Sequence, residues 1–245
     1  MLRCYGFFAS WTLFTLWTGY IGAKVSDRNE QVHRFNNQSA TYNFSKLPAY
    51  TYTFEPKYSA GVSGSINVQY GGPFSTFAAI SIDLDFSKVN SNRITAFNDN
   101  CTEEVSVFQW HIHVKWLNKY DSGSFKQCDM AMTGNHYDPL KACGPNSEFA
   151  GTSECALKIR PYACNPNNYR NDPLVCEKGD LSGKFGDLKL DKKKQVIRRF
   201  YDINYPLPPE NTPMWNMILH GVCGKATPRI ACAVGRQTSG RGSTT

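Results

Sequence analysis

A chain of 245 residues with 41% hydrophobic residues can form one large β domain or two small domains. It contains no internal repeat. The balance of 27 Lys+Arg against 20 Asp+Glu, net +7, favours an anionic partner only modestly; the chain carries no signature of nucleic-acid binding.

The N-terminus reads as a leader. Met1-Leu2-Arg3 gives a positive start, residues 7–21 an apolar stretch and Ile21-Gly22-Ala23 a small-residue cleavage site, so residues 1–23 are predicted to be a secretory signal peptide. A membrane anchor is the rival, since residues 4–23 are about long enough to span a bilayer. The cleavage site and the Ser, Thr and Gly content favour removal, so no stable membrane insertion is expected afterwards. Residues 24–47 form an N-terminal extension. The acceptor triplets at Asn37, Asn43 and Asn100 agree with a secreted, glycosylated protein.

From Tyr50 onward, strand-like runs recur over 50–54, 62–70, 76–86, 105–116, 186–190, 196–201, 214–220 and 229–234. Each alternates apolar and polar residues, is rich in β-branched or aromatic types, and is bounded by Gly, Pro or Asn. No stretch reads as a long amphipathic helix. Eight short strands argue an all-β fold, an antiparallel sandwich or flattened barrel. Lys192-Lys193-Lys194 reads as a solvated hairpin tip. Residues 120–176 form a long irregular segment holding five cysteines, and a segment of that size is usually functional or stapled. Residues 236–245 read as a flexible Gly/Ser/Thr-rich tail. Removing Cys4 with the leader leaves eight cysteines, an even number suited to an oxidising compartment. None lies in a Cys-x-x-Cys pair, which argues against a zinc finger or a thioredoxin-like site.

Four of the five histidines carry the chemistry. His111 and His113 lie two apart in a strand, so both rings project to one face about 7 Å apart. His136 sits in the turn-like run Gly134-Asn135-His136-Tyr137-Asp138-Pro139, and His220 ends the apolar run Met217-Ile218-Leu219-His220. Four imidazole donors in a roughly square array suit Cu(II).

In order along the chain, these pieces resemble the copper/zinc superoxide dismutase family. That family has a His-Val-His strand, a turn with His-Phe-Asn-Pro, a Val-Gly-Asp-Leu-Gly segment, a strand ending in His and a final Arg-Leu-Ala-Cys-Gly-Val. This chain has Trp110-His111-Ile112-His113-Val114, the Gly134 turn, Gly179-Asp180-Leu181, Leu219-His220 and Arg229-Ile230-Ala231-Cys232-Ala233-Val234. The match spans residues 48–235 and implies a Greek-key sandwich or flattened barrel, stapled by a disulfide between Cys128 and Cys232. The other six cysteines, Cys101, Cys143, Cys155, Cys164, Cys176 and Cys223, allow fifteen pairings.

The departures narrow the resemblance. In the family, zinc takes the bridging histidine, two more histidines and an aspartate. Here His136 matches the bridging position and Asp180 the aspartate, but Glu177 stands at one zinc histidine and none is available for the other. The long charged loop after the last copper histidine is reduced to residues 221–228. Both losses resemble the secreted, copper-only branch, so one copper and no zinc are expected. A metal-bound histidine needs its second ring nitrogen fixed, and Glu177 or Asp180 is the available acceptor for His136. Arg229 matches the family's active-site arginine, suited to a small anion beside the metal.

The activity the resemblance implies is superoxide dismutation, with Cu(II)/Cu(I) cycling that yields dioxygen and hydrogen peroxide outside the cell. A secreted copper-binding or storage protein on the same scaffold, and a structural interaction protein using the cysteine-rich loop, are the alternatives. Without the leader the chain keeps 26 Lys+Arg (27 less Arg3) against 20 acids, net +6.

Overall fold

A computed structural model of the protein describes residues 47–98, 100–101, 103–117, 124–158, 161–210 and 214–239. The leader, Asn37 and Asn43 lie outside them. Eight strands are present: β1 (Ala49–Phe54), β2 (Ser63–Tyr70), β3 (Ala78–Asp85), β4 (Val107–His113), β5 (Leu188–Lys189), β6 (Gln195–Asp202), β7 (Asn216–Val222) and β8 (Arg229–Ser239). All pairings are antiparallel, in the order β5-β4-β7-β8-β1-β2-β3-β6. The chain jumps between non-neighbouring strands from β3 to β4 and from β6 to β7, as a Greek key requires. The two outer strands, β5 and β6, are consecutive in sequence. Their turn is held by Asp191 N–H donating to Gln195 O at 2.9 Å, so the sheet curls into a nearly closed barrel.

Alternation builds the core. Tyr52, Phe54, Ile66, Val68, Ile80, Ile82 and Leu84 fill it from β1–β3, and Phe108, Trp110 and Ile112 fill it from β4. Trp110 is fully buried, packs against Phe185 and Phe200, and its indole N–H donates to Gly186 O at 3.1 Å. Burying side chains of this size stabilises by about 1.5–3 kcal/mol each. The consequence for function is that His111 and His113, out of phase with that core, lie on the outer face of β4.

Two local readings change. Residues 236–239, expected in a tail, continue β8, with Thr51 pairing Arg236 and Ala49 pairing Ser239. The edge of β1 supplies backbone partners there, and pairing outranks composition. The 120–176 segment is also not plain loop. Its described residues form α2 (Ser124–Gln127), α3 (Met130–Thr133), α4 (Ser153–Ala156) and α5 (Pro166–Asn171). A further helix, α1 (Ser91–Phe97), is capped by the Asn90 side chain accepting from the N–H groups of Asn92 and Arg93.

Four disulfides hold the frame: Cys101–Cys223, Cys128–Cys232, Cys143–Cys155 and Cys164–Cys176. The first two tie distant parts to the β7–β8 region. The last two each close a bracket within the long insert. Among the described residues, no helix is long and apolar enough to cross a membrane. Asn100 is exposed.

Candidate metal centre

β4 presents His111 and His113 on its outer face, and β7 beside it brings His220, which sits opposite Gln109. His136 arrives differently. Beyond Phe108 the free edge of β4 is no longer paired with β5, and the 135–137 segment takes that place. Tyr137 N–H donates to Ile112 O, Val114 N–H to Asn135 O, and His113 and His136 form an isolated bridge. Gly179 is required at this edge, since a Cβ there would lie 2.5 Å from Ile112 O. The four rings are buried, and one ligand atom from each lies within 4.8 Å of the other three.

Each ring has an outer partner. His113 Nδ1–H donates to Gly134 O at 2.8 Å and His220 Nδ1–H to Thr227 O at 3.0 Å. His136 Nδ1 is 2.6 Å from Glu177 Oε2, and His111 Nε2 is 3.5 Å from Asp180 Oδ1, long for a hydrogen bond. These partners assign the tautomers. What they leave is informative: His111 Nδ1, His113 Nε2 and His220 Nε2 are buried and accept no hydrogen bond from any described residue. Burying polar atoms without a partner costs about 1–3 kcal/mol each. His136, with Nδ1 engaged, offers Nε2. Four convergent lone pairs on neutral imidazoles fit a borderline-soft transition metal.

The electrostatics keep the rings neutral. Burial and the neighbouring His136 push His111 down to about 4, and burial pushes His136 down to about 4. Burial, with the other rings and Arg229 nearby, holds His113 and His220 well below the usual histidine range. Burial, then Asp180 and Asp138, raises Glu177 above the usual carboxylate range, while the 2.6 Å contact with His136 Nδ1–H favours its ionised form. Burial opposes ionisation of Asp180 too, but hydrogen bonding and charge from His111, and the Tyr162 hydroxyl, hold it well below the usual carboxylate range.

Arg229 stands at the start of β8, paired with His220. The register shifts there: Leu219 pairs with Ala231 but His220 with Arg229, so Ile230 is a one-residue bulge. Without it Ile230 would face the histidines and Arg229 would turn inward; with it Ile230 joins the core. The half-buried guanidinium donates to Thr133 Oγ1 at 2.6 Å and to Gly134 O at 2.8 Å. Burial lowers its pKa to about 10, so it remains a cation at neutral pH. Gly134 O therefore accepts from both His113 and Arg229.

Of the two acids expected to hold His136, Glu177 does so, while Asp180 faces His111 and caps α6 (Leu181–Phe185) by accepting from Gly183 N–H at 2.7 Å. Cys128 and Cys232 are bonded to each other. The sequence did not single out Tyr162, Thr133, Gly134 or Thr227 as site residues. Gly134 and Thr227 act through a backbone carbonyl, which no residue type advertises.

No family model matches the sequence, and no curated protein does. Solved structures of Candida albicans superoxide dismutase 5 share its architecture. The Cu(II) form aligns at 18% identity and a TM-score of 0.50, covering 81% of this chain and 98% of that one. Two mutant forms align at 17% identity and a TM-score of 0.50, covering 81% of this chain and 97% and 96% of theirs. The fold is that of a superoxide dismutase. On this fold, the four histidines form a buried cluster that could bind a metal.

Proposed function

We propose that the protein is an extracellular, copper-only superoxide dismutase. The observation that carries the reading is the set of four buried imidazoles, three with the outer nitrogen hydrogen-bonded and the fourth 3.5 Å from Asp180, whose inner nitrogens converge and which have a cation at their rim. The copper form of a protein with the same fold supports copper over other metals, as does the all-nitrogen donor set. Four disulfides suit the secretory route.

Copper bound by His111, His113, His136 and His220 supplies one-electron chemistry: two superoxide anions and two protons give dioxygen and hydrogen peroxide. The chain's own part is positional. Arg229 draws the anion to the rim and orients it, without ligating the metal. Gly134 O holds His113 and Arg229 in fixed relation, and Glu177 holds the proton at His136 Nδ1. Glu177 stands where the zinc-binding members have a histidine, so its carboxylate takes over the orienting task of that second metal.

The test is superoxide decay measured against copper occupancy in wild type, Arg229→Ala and His113→Ala. Arg229→Ala should lower dismutation while copper content and the Cu(II) spectrum stay nearly unaltered. His113→Ala should disturb both. Wild type fully loaded with copper but with no rate above background would replace the enzyme reading with copper binding without catalysis.

A further inference from the structure

The two acids beside the histidines meet at one residue of the insert. Tyr162 donates its hydroxyl to Asp180 Oδ2 at 2.7 Å and accepts from the backbone N–H of Glu177 at 3.1 Å. Asp180 is fixed at its other oxygen by Gly183 N–H and faces His111; Glu177 holds His136. One phenol therefore joins the supports of the two rings that stack on each other with centroids 4.1 Å apart.

The surroundings hold the phenol in place. Cys164–Cys176 closes the chain just past Tyr162 and lies against α6, where a Cβ on Gly183 would come 2.4 Å from Cys164 Sγ. On the other side Gly144 packs flat on the pair: a Cβ there would lie 2.2 Å from Glu177 Oε1 and 2.9 Å from Tyr162 Cζ. That stretch is itself organised by buried Asp138, which accepts from Ala142 N–H, Cys143 N–H and Ser147 Oγ–H. Tyr162, Glu177, Asp180, His111 and His136 together line a cavity of about 260 Å³.

We propose that Tyr162 is a positioning residue for the metal centre, coupling the two carboxylates that orient His111 and His136, and that supplying it is a function of the cysteine-rich insert. The proposal rests on the histidine cluster being a copper site, and its test separates the two. The long His111–Asp180 contact gives the tether its work. With Asp180 held at Oδ1 by Gly183 and at Oδ2 by Tyr162, the acceptor stays within reach of His111 Nε2 and keeps the lone pair on Nδ1. Loss of the phenol leaves Asp180 free to turn and Glu177 N–H without its acceptor.

The experiment uses the full-length protein and Tyr162→Phe, which keeps the ring and removes only the hydroxyl. Imidazole ¹⁵N spectra of the metal-free proteins read the tautomers. Cu(II) affinity by competition against a chelator, with EPR of the Cu(II) forms, reads the site. In wild type, His111 should be the Nε2–H tautomer and the other three Nδ1–H. In Tyr162→Phe, His111 should become a mixture, the His136 signals should move, copper affinity should fall about 10-fold or more, as outer partners of metal ligands typically contribute, and the EPR parameters should shift. Asp180→Asn should alter His111 and leave His136 in place, a second route to the same result should the first variant fold poorly. A tyrosine with only a structural part would lower the melting temperature and leave tautomers, affinity and EPR unmoved; that result overturns the inference. A wild type that binds no copper, yet whose His111 tautomer changes in Tyr162→Phe, overturns the copper reading and leaves the tether standing.

Discussion

On the copper-only reading, Glu177 is the residue that keeps out a second metal. It is 1% exposed, its Oε2 lies 2.6 Å from His136 Nδ1, and Gly144 leaves no room for it to move away. A second metal bridged through His136 would have to displace that contact. Protein loaded with both copper and zinc should therefore hold one copper and no stoichiometric zinc by elemental analysis; one zinc per chain resistant to mild chelation would contradict this. Glu177→Gln keeps the size but weakens the acceptor, so copper affinity or turnover should drop on the order of 10–100-fold with the fold intact. Unchanged affinity and turnover would make Glu177 a loop residue only. The four histidines, Arg229, Glu177 and Asp180 were legible in the sequence because their chemistry is in the side chain. The supports at Gly134 O and Thr227 O were not, because any residue has a carbonyl and only the fold says which one faces a ring.

At the scale of elements, α6 is the piece that joins the site to the barrel. Its cap Asp180 faces His111, and its Ser182 hydroxyl accepts from Trp110 N–H at 2.8 Å. Its Lys184, fully buried, donates to Asp202 Oδ2 at 2.9 Å, to Lys178 O and to Asn204 O. Asp202 on β6 also accepts from the Tyr169 hydroxyl of α5, so one buried ion pair links α5, α6 and β6. Breaking a buried pair by removing one partner leaves the other charge uncompensated, at a cost of about 3–5 kcal/mol. Lys184→Met should lower stability by that amount in denaturant unfolding. Lys184→Met with Asp202→Leu should recover part of it, whereas no loss in the single variant would mean that water replaces the amine. The same element-scale view explains Arg229. Reading β8 as a uniform strand gives its position but not its direction, which the Ile230 bulge sets.

For the whole molecule, burial of four neutral histidines ties stability to pH. In the unfolded chain a histidine titrates near 6.5; in the folded, metal-free protein His111 and His136 do so at about 4, and His113 and His220 lower than usual. Above 6.5 the histidines are neutral in both states. As pH falls from about 6.5 to about 4, the unfolded state takes up protons that the native state refuses, so native stability drops across that window. Metal-free protein should thus show a melting temperature that declines steadily from pH 7 to pH 5. The copper-loaded form should melt higher at pH 7, because a ligand that binds only the native state stabilises it. A flat metal-free profile over that range would show that the rings are solvated and charged.

The sequence by itself determined the β class, the eight strand positions to within a few residues and the histidine set, because alternation, turn residues and imidazoles are local properties that a strand cannot hide. It also placed eight cysteines without pairing six of them. Tertiary structure decided those pairings, the run of β8 to Ser239, the division of labour between Glu177 and Asp180, and the tether at Tyr162. Each of these depends on which distant backbone comes alongside. Nothing in the residue at position 162 says that Glu177 and Asp180 will fold to either side of it.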